Sequence, residues 1–406
     1  MPTPVWLTGF EYGVATPTIN GTGLFNTITG SPSIQSTTKN TGNYALKLDP
    51  SGSIYTVFKN LSTPNVVVGR LYFNFTTWSG VDNEIVYVPV TAGVNLSIKI
   101  NSTTKKLYPR FWSTSSGGDH ATTLQLNTWY RLDFRFDVST GTAKIDFQLD
   151  DVAATQFTLS QTATTFTSIA LGPSNSDTMV LFIDDVVVST TLADYPIGAG
   201  GTEALVPTSD GTHNAGTNTI EANDGTDIGT TTAFNKLNSI PPSSTNYVRQ
   251  ATIGTGNYAE VLFGDILSTH SGIIGAMGIL AYTSATTTAN NGGCIISKDS
   301  FATSTTIWGA SGSLSDYSDG STSSLYYKSA KLNNVIDDTT VNALKARIGY
   351  SSDVSPNPYW IDLIVEVAYS TSDTIITLDL VTYSSTYNDL IVLETEVTPL
   401  DLVTYS

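Results

Sequence analysis

Apolar and polar residues alternate with a period of two through most of the chain. Arg131-Leu132-Asp133-Phe134-Arg135-Phe136-Asp137 puts Leu132, Phe134 and Phe136 on one face and charges on the other. Lys144-Ile145-Asp146-Phe147-Gln148-Leu149-Asp150 repeats the pattern after a turn at Asp137–Gly141, so the two runs predict a β-hairpin. Further strands are expected at Tyr44–Leu48, Ile54–Phe58, Arg70–Thr76, Glu84–Pro89, Asn95–Ile100, Leu107–Trp112 and Val180–Val188. Helical periodicity is confined to the short run Thr339–Ile348. Short strands broken by Ser, Thr, Gly and Asn at regular spacing predict an all-β chain of sandwich type.

Breaks in this pattern divide the chain. Tyr195-Pro196-Ile197-Gly198-Ala199-Gly200-Gly201 cannot continue the strand before it, which sets a boundary between residues 1–197 and 198–372. Pro207–Ile240 is polar and glycine-rich and reads as an exposed excursion or part of an interface. Strands resume at Tyr247–Ile253, Tyr258–Phe263, Ile273–Tyr282, Gly293–Lys298, Leu325–Leu332 and Trp360–Tyr369, a second β-sandwich. In residues 373–406, Leu378-Asp379-Leu380-Val381-Thr382-Tyr383-Ser384 recurs unchanged as Leu400-Asp401-Leu402-Val403-Thr404-Tyr405-Ser406. These strands either complete a sheet of the second domain or form an arm that adds strands to a neighbouring subunit. In the second reading Leu378, Leu380, Val381, Tyr383, Leu400, Leu402, Val403 and Tyr405 carry assembly, making the protein a homo-oligomer.

Composition narrows the function. The 406 residues include 18 basic and 35 acidic ones, a net charge of −17, which excludes a nucleic-acid-coating protein. The single cysteine, Cys294, rules out an intramolecular disulfide and reads as a small buried hydrophobe. No secretory signal or membrane-spanning segment is visible, so no membrane insertion is expected.

The chemistry of known enzyme sites is not evident. His120, His213 and His270 lack metal-ligand spacing, and there is no Gly-x-Ser-x-Gly elbow. Asp146 and Asp150 share a strand face as a glycosidase pair would, but they, with Asp133 and Asp137, read better as a solvated outer face. We therefore expect no enzyme and no required cofactor. One cation site is a candidate: Glu11 opens the first domain and Asp184-Asp185 closes it, and sandwich topology brings first and last strands together, with oxygen ligands that suit calcium. The alternative is a surface Asp pair ending a strand. Trp112 is the candidate sugar platform, whereas Trp129 is expected in the core.

Residues 1–195 resemble the concanavalin A-like/laminin-G-like jelly-roll family and related carbohydrate-binding modules. The residues that carry this are Gly9-Phe10-Glu11, Thr41-Gly42-Asn43-Tyr44-Ala45-Leu46-Lys47-Leu48, Asn127-Thr128-Trp129-Tyr130-Arg131-Leu132 and Phe182-Ile183-Asp184-Asp185-Val186. The resemblance implies a structural calcium held by an early Glu and a late Asp, matching Glu11 and Asp184. The continuation through Pro207-Thr208-Ser209-Asp210-Gly211-Thr212-His213-Asn214, Leu237-Asn238-Ser239-Ile240-Pro241-Pro242 and Tyr247-Val248 looks like a segment of tailed-bacteriophage virion proteins. That implies a structural component of a phage particle, made in the host cytoplasm, with other virion proteins as partners and capsid decoration or a head fibre favoured. The rival expectation is a glycan-binding adhesin or tail-fibre protein that attaches to host surface polysaccharide.

Overall fold

The computed structural model describes residues 2–14, 24–50, 54–90, 95–111, 115–160, 164–175, 178–214, 220–222, 233–243, 245–250, 258–266, 270–283, 293–308, 325–335, 337–349 and 359–371. Their strands form four sheets, all pairings antiparallel, arranged as two β-sandwiches. Trp112 and the repeated segments with Leu378, Leu380, Val381, Tyr383, Leu400, Leu402, Val403 and Tyr405 lie outside the described residues. No helix among the described residues is long and apolar enough to cross a membrane.

The first sandwich pairs a nine-stranded with a seven-stranded sheet. At the centre of the nine-stranded sheet, Val66–Thr77 lies between Tyr130–Asp137 and Val180–Ser189, and Pro4–Thr8 closes against Val180–Ser189. The expected hairpin is present, with Phe134 opposite Phe147 and Phe136 opposite Ile145. Alternation explains the core: Leu71, Phe73, Leu132, Phe134, Phe136, Ile145 and Phe147 point inward to meet Val86, Leu96, Ile98, Leu107 and Phe111 of the seven-stranded sheet.

The second sandwich pairs a six-stranded sheet built on Gly272–Thr283 and Tyr359–Ser370 with a five-stranded sheet. The boundary expected at residue 197 falls in the connector between Val180–Ser189 and Gly200–Leu205. Gly272–Thr283 and Tyr359–Ser370 are almost unbroken apolar runs, because their sheet is covered on both sides. Leu280, Tyr282, Trp360, Leu363 and Val365 face the five-stranded sheet, whereas Met277, Ile279, Ala281, Ile361 and Ile364 join the core cluster of the first sandwich. Met1–Ser372 is accordingly one compact unit.

Two expectations change. The helix at Thr339–Ile348 shrinks to Asp338–Asn342, started by a capping box between Asp337 and Thr340, and Lys345–Gly349 is a strand. Residues Ala346 and Ile348 alternate with polar neighbours, so the five-stranded sheet claims them. Trp129 is only half-buried and does not join the core. Cys294 is fully buried as expected, and burial pushes its thiol far up.

Candidate functional site

A cluster of buried polar side chains lies where the sandwiches meet. After Pro4–Thr8 the chain turns through Phe10, in the left-handed region at φ 61°, and this places Glu11 inward at 1 % exposure. Its Oε2 accepts from the Asn43 amide at 2.8 Å, and its Oε1 from the Asn43 and Tyr44 amides at 3.0 and 3.3 Å. The loop can wrap this closely because Gly42 takes φ +58° and has no side chain; a Cβ there would sit 2.1 Å from Oε1.

On the neighbouring strand Val180–Ser189 a bulge follows Asp184, and Asp185 adopts φ 51°. The bulge turns both carboxylates toward the same loop. Asp184 Oδ2 accepts from the Asn40 and Thr41 amides at 2.8 and 3.3 Å, and Oδ1 accepts from the Asp185 amide at 2.8 Å. Asp185 Oδ1 accepts from the Thr41 hydroxyl at 2.6 Å and from the Thr202 amide and hydroxyl at 2.7 Å each. Thus Asp184 and Glu11 hold the two ends of Asn40–Tyr44, and Asp185 ties the middle to the second sandwich.

Two further residues complete the junction. Glu366 is fully buried, and its Oε1 accepts from the Glu11 amide at 2.8 Å. Arg70, also fully buried, donates from Nη1 to the Gly198 and Tyr369 carbonyls at 3.2 and 3.4 Å, and from Nη2 to Gly201 at 3.4 Å. Its Nε reaches the Asp185 carbonyl at 3.5 Å. One planar fork therefore links three segments of the chain, an arrangement a lysine cannot reproduce. Glycine is again required at Gly200, φ +153°, where a Cβ would lie 1.9 Å from the Tyr369 oxygen.

Burial dominates the electrostatics. It raises Glu11 to about 7 against the opposing pull of the loop amides. Glu366 rises to about 8, from burial first and the Glu11 charge second. Asp184 lies well above its usual range, through burial and then the Asp185 charge. Burial lowers the Arg70 guanidinium. The first two residues of the expected calcium site are thus brought to one loop, and the alternative of a surface Asp pair is overturned, since Asp184 and Asp185 are both fully buried. Their surroundings do not fit a cation. Backbone N–H groups, which repel a positive ion, occupy both oxygens of the Glu11 and of the Asp184 carboxylate. Among the described residues no three His, Cys, Asp or Glu side chains are placed to hold a metal ion.

The carboxylates weighed for hydrolysis are also committed. Asp146 Oδ2 accepts from Arg135 Nε at 2.7 Å, and its Oδ1 accepts from Gln156 at 2.6 Å. Asp150 accepts from the Arg131 amide at 2.8 Å, and Asp137 from the Ser139 amide at 2.9 Å. Asp133 pairs with Arg131 Nε at 2.8 Å and accepts from the Gly198 amide at 2.9 Å. The expected solvated face is corrected here, because Asp133 is 0 % and Asp137 3 % exposed. The connector between the sandwiches crosses that face, with Tyr195 under the Arg135 guanidinium at 5.4 Å.

Sequence reasoning missed Arg70, Glu366 and Thr202. Glu366 did leave a signal, a charge inside the apolar run Trp360–Tyr369. Arg70 left none, since an arginine on an alternating strand reads as solvent-facing.

No family model matches the chain, and no curated protein matches it. Among solved structures it is similar to a sialidase at 8 % identity and TM-score 0.32, over 41 % of this chain and 17 % of that one. A Trypanosoma rangeli sialidase gives 8 % identity and TM-score 0.30, over 43 % and 29 %. Domain 4 of AbnA, a GH43 extracellular arabinanase from Geobacillus stearothermophilus, gives 15 % identity and TM-score 0.30, over 46 % and 96 %. The matched region spans between a sixth and a third of the first three such chains.

Proposed function

We propose that the protein is a non-enzymatic structural component displayed on a phage particle, as capsid decoration or a head fibre, and that its C-terminal strands assemble it with copies of itself. The observation that carries this reading is the use made of the buried charge. Arg70, Asp184, Asp185, Glu366 and Asp133 all hold backbone segments together across or beside the junction. Such side chains fix a shape, which supports a structural role. The heptapeptide repeated at 378–384 and 400–406 has an apolar sequence that supports pairing between chains.

Light scattering on the size-excluded full chain tests assembly, beside a full-length variant carrying Asp at Leu378, Leu380, Leu400 and Leu402. A defined oligomer that becomes a folded monomer in the variant supports the proposal. A full chain that is already a folded monomer overturns self-assembly. Antibody against the chain should label intact phage particles, and unlabelled particles from an expressing lysate would remove the virion assignment. Glycan-array binding abolished by Trp112→Ala would favour the adhesin instead.

A further inference from the structure

Asp362 is the buried acid that the junction's clamp does not use. It sits on Tyr359–Ser370 at a bulge, where Asp362 stands opposite Ala281, and Trp360 opposite Tyr282, with Ile361 inserted between. Asp362 is fully buried, on the face of its sheet that meets the first sandwich. Its Oδ1 accepts from the Leu363 amide at 2.9 Å, but its Oδ2 has no hydrogen-bond partner among the described residues. The Tyr12 hydroxyl, from the corner after Pro4–Thr8, is buried beside the Ala281 backbone. Tyr12 packs edge-on against Tyr327 at 5.4 Å, and after burial the Asp362 charge is the largest influence that raises its hydroxyl, followed by Tyr327.

Tyr12, from the first sandwich, is the titratable group on which Asp362 acts, with Tyr327 of the second sandwich against Tyr12 and Glu366 further along the strand of Asp362. No cation acts on it among the described residues. An ionised carboxylate in such a place has no counter-charge among the described residues, and buried acids so placed keep their proton. We propose that the junction accommodates Asp362 only as the neutral acid, so that docking of the two sandwiches depends on a bound proton and loosens as the pH rises.

The direction agrees with burial, which pushes the Asp362 carboxyl well above its usual range. A group raised in the folded state contributes its stability fully below the unfolded value and loses it as pH rises through the folded one. This runs opposite to ordinary acid denaturation. The proton acts here as a ligand for the folded junction.

Urea unfolding of the full-length chain between pH 5 and 9 tests this, comparing wild type with Asp362→Asn and Asp362→Leu. The other buried acids titrate in all three, so the difference between curves isolates Asp362. The folding equilibrium of wild type should fall relative to the variants by up to about tenfold per pH unit. Parallel curves for wild type and either folded variant overturn the proposal. Should neither variant fold, infrared spectra of carbon-13 aspartate-labelled Asp184→Asn chain decide. An un-ionised acid carbonyl band at pH 7 supports it, and the absence of that band overturns it.

Discussion

Arg70 is the residue whose removal should tell most about how the two halves are joined. Methionine keeps the length and apolar stem but removes the fork, leaving the Gly198, Gly201 and Tyr369 carbonyls without their donor. It also removes the positive charge that acts beside Asp185 and Asp133. The donor–acceptor distances of 3.2–3.5 Å are long, so each bond sits at the weak end of the charged range, about 1.5 kcal/mol. Breaking a buried charged network generally amounts to about 3–5 kcal/mol, and Arg70→Met should fall there. Arg70→Lys should recover part of the loss, since an ammonium can serve one or two carbonyls but not the planar set. The assay is urea unfolding with two reporters: Trp6 in the first sandwich, 1 % exposed, and Trp360 in the second, 0 % exposed. The two transitions should coincide in the wild-type chain and separate on loss of the link. A variant within about 0.5 kcal/mol of wild type, with both reporters still coincident, would refute the account of Arg70 as the junction's tie.

Other consequences follow from the same geometry. Gly42→Ala should destabilise by about 1–3 kcal/mol, because it combines a left-handed backbone with a clash on Glu11; a neutral result in thermal melting would mean the loop is not clamped as described. Glu366 is raised to about 8, so its contribution is complete at acid pH and disappears as pH climbs through 8; Glu366→Gln should flatten that decline in a pH series of melting curves. Excess chelator should leave the melting midpoint of the full chain unchanged, since the Glu11 and Asp184 oxygens are held by amides. A clear drop on chelation would restore the calcium site.

Much of this protein is legible without coordinates. Local alternation sets which residues of Tyr130–Asp137 and Thr142–Leu149 face inward, because the pleat sends successive side chains to opposite sides whatever surrounds them. The hairpin, the break after Val180–Ser189 and the burial of Cys294 follow from such short-range rules. Gly272–Thr283 and Tyr359–Ser370 were expected as strands, but that their sheet is covered on both sides came from the structure. What surrounds a polar face is a different matter. The face of Asp133 and Asp137 reads as solvated along the strand, yet it is covered by a connector some sixty residues away in sequence. The partners of Arg70 span residues 185 to 369, and those of Glu11 lie at residues 43, 44 and 366. No window of sequence contains them together. Strand identity and inward face are properties of neighbouring residues, and the sequence alone determined them. The junction, with its buried acids and Arg70, exists only where distant segments exclude water from one another, and so tertiary structure decided it.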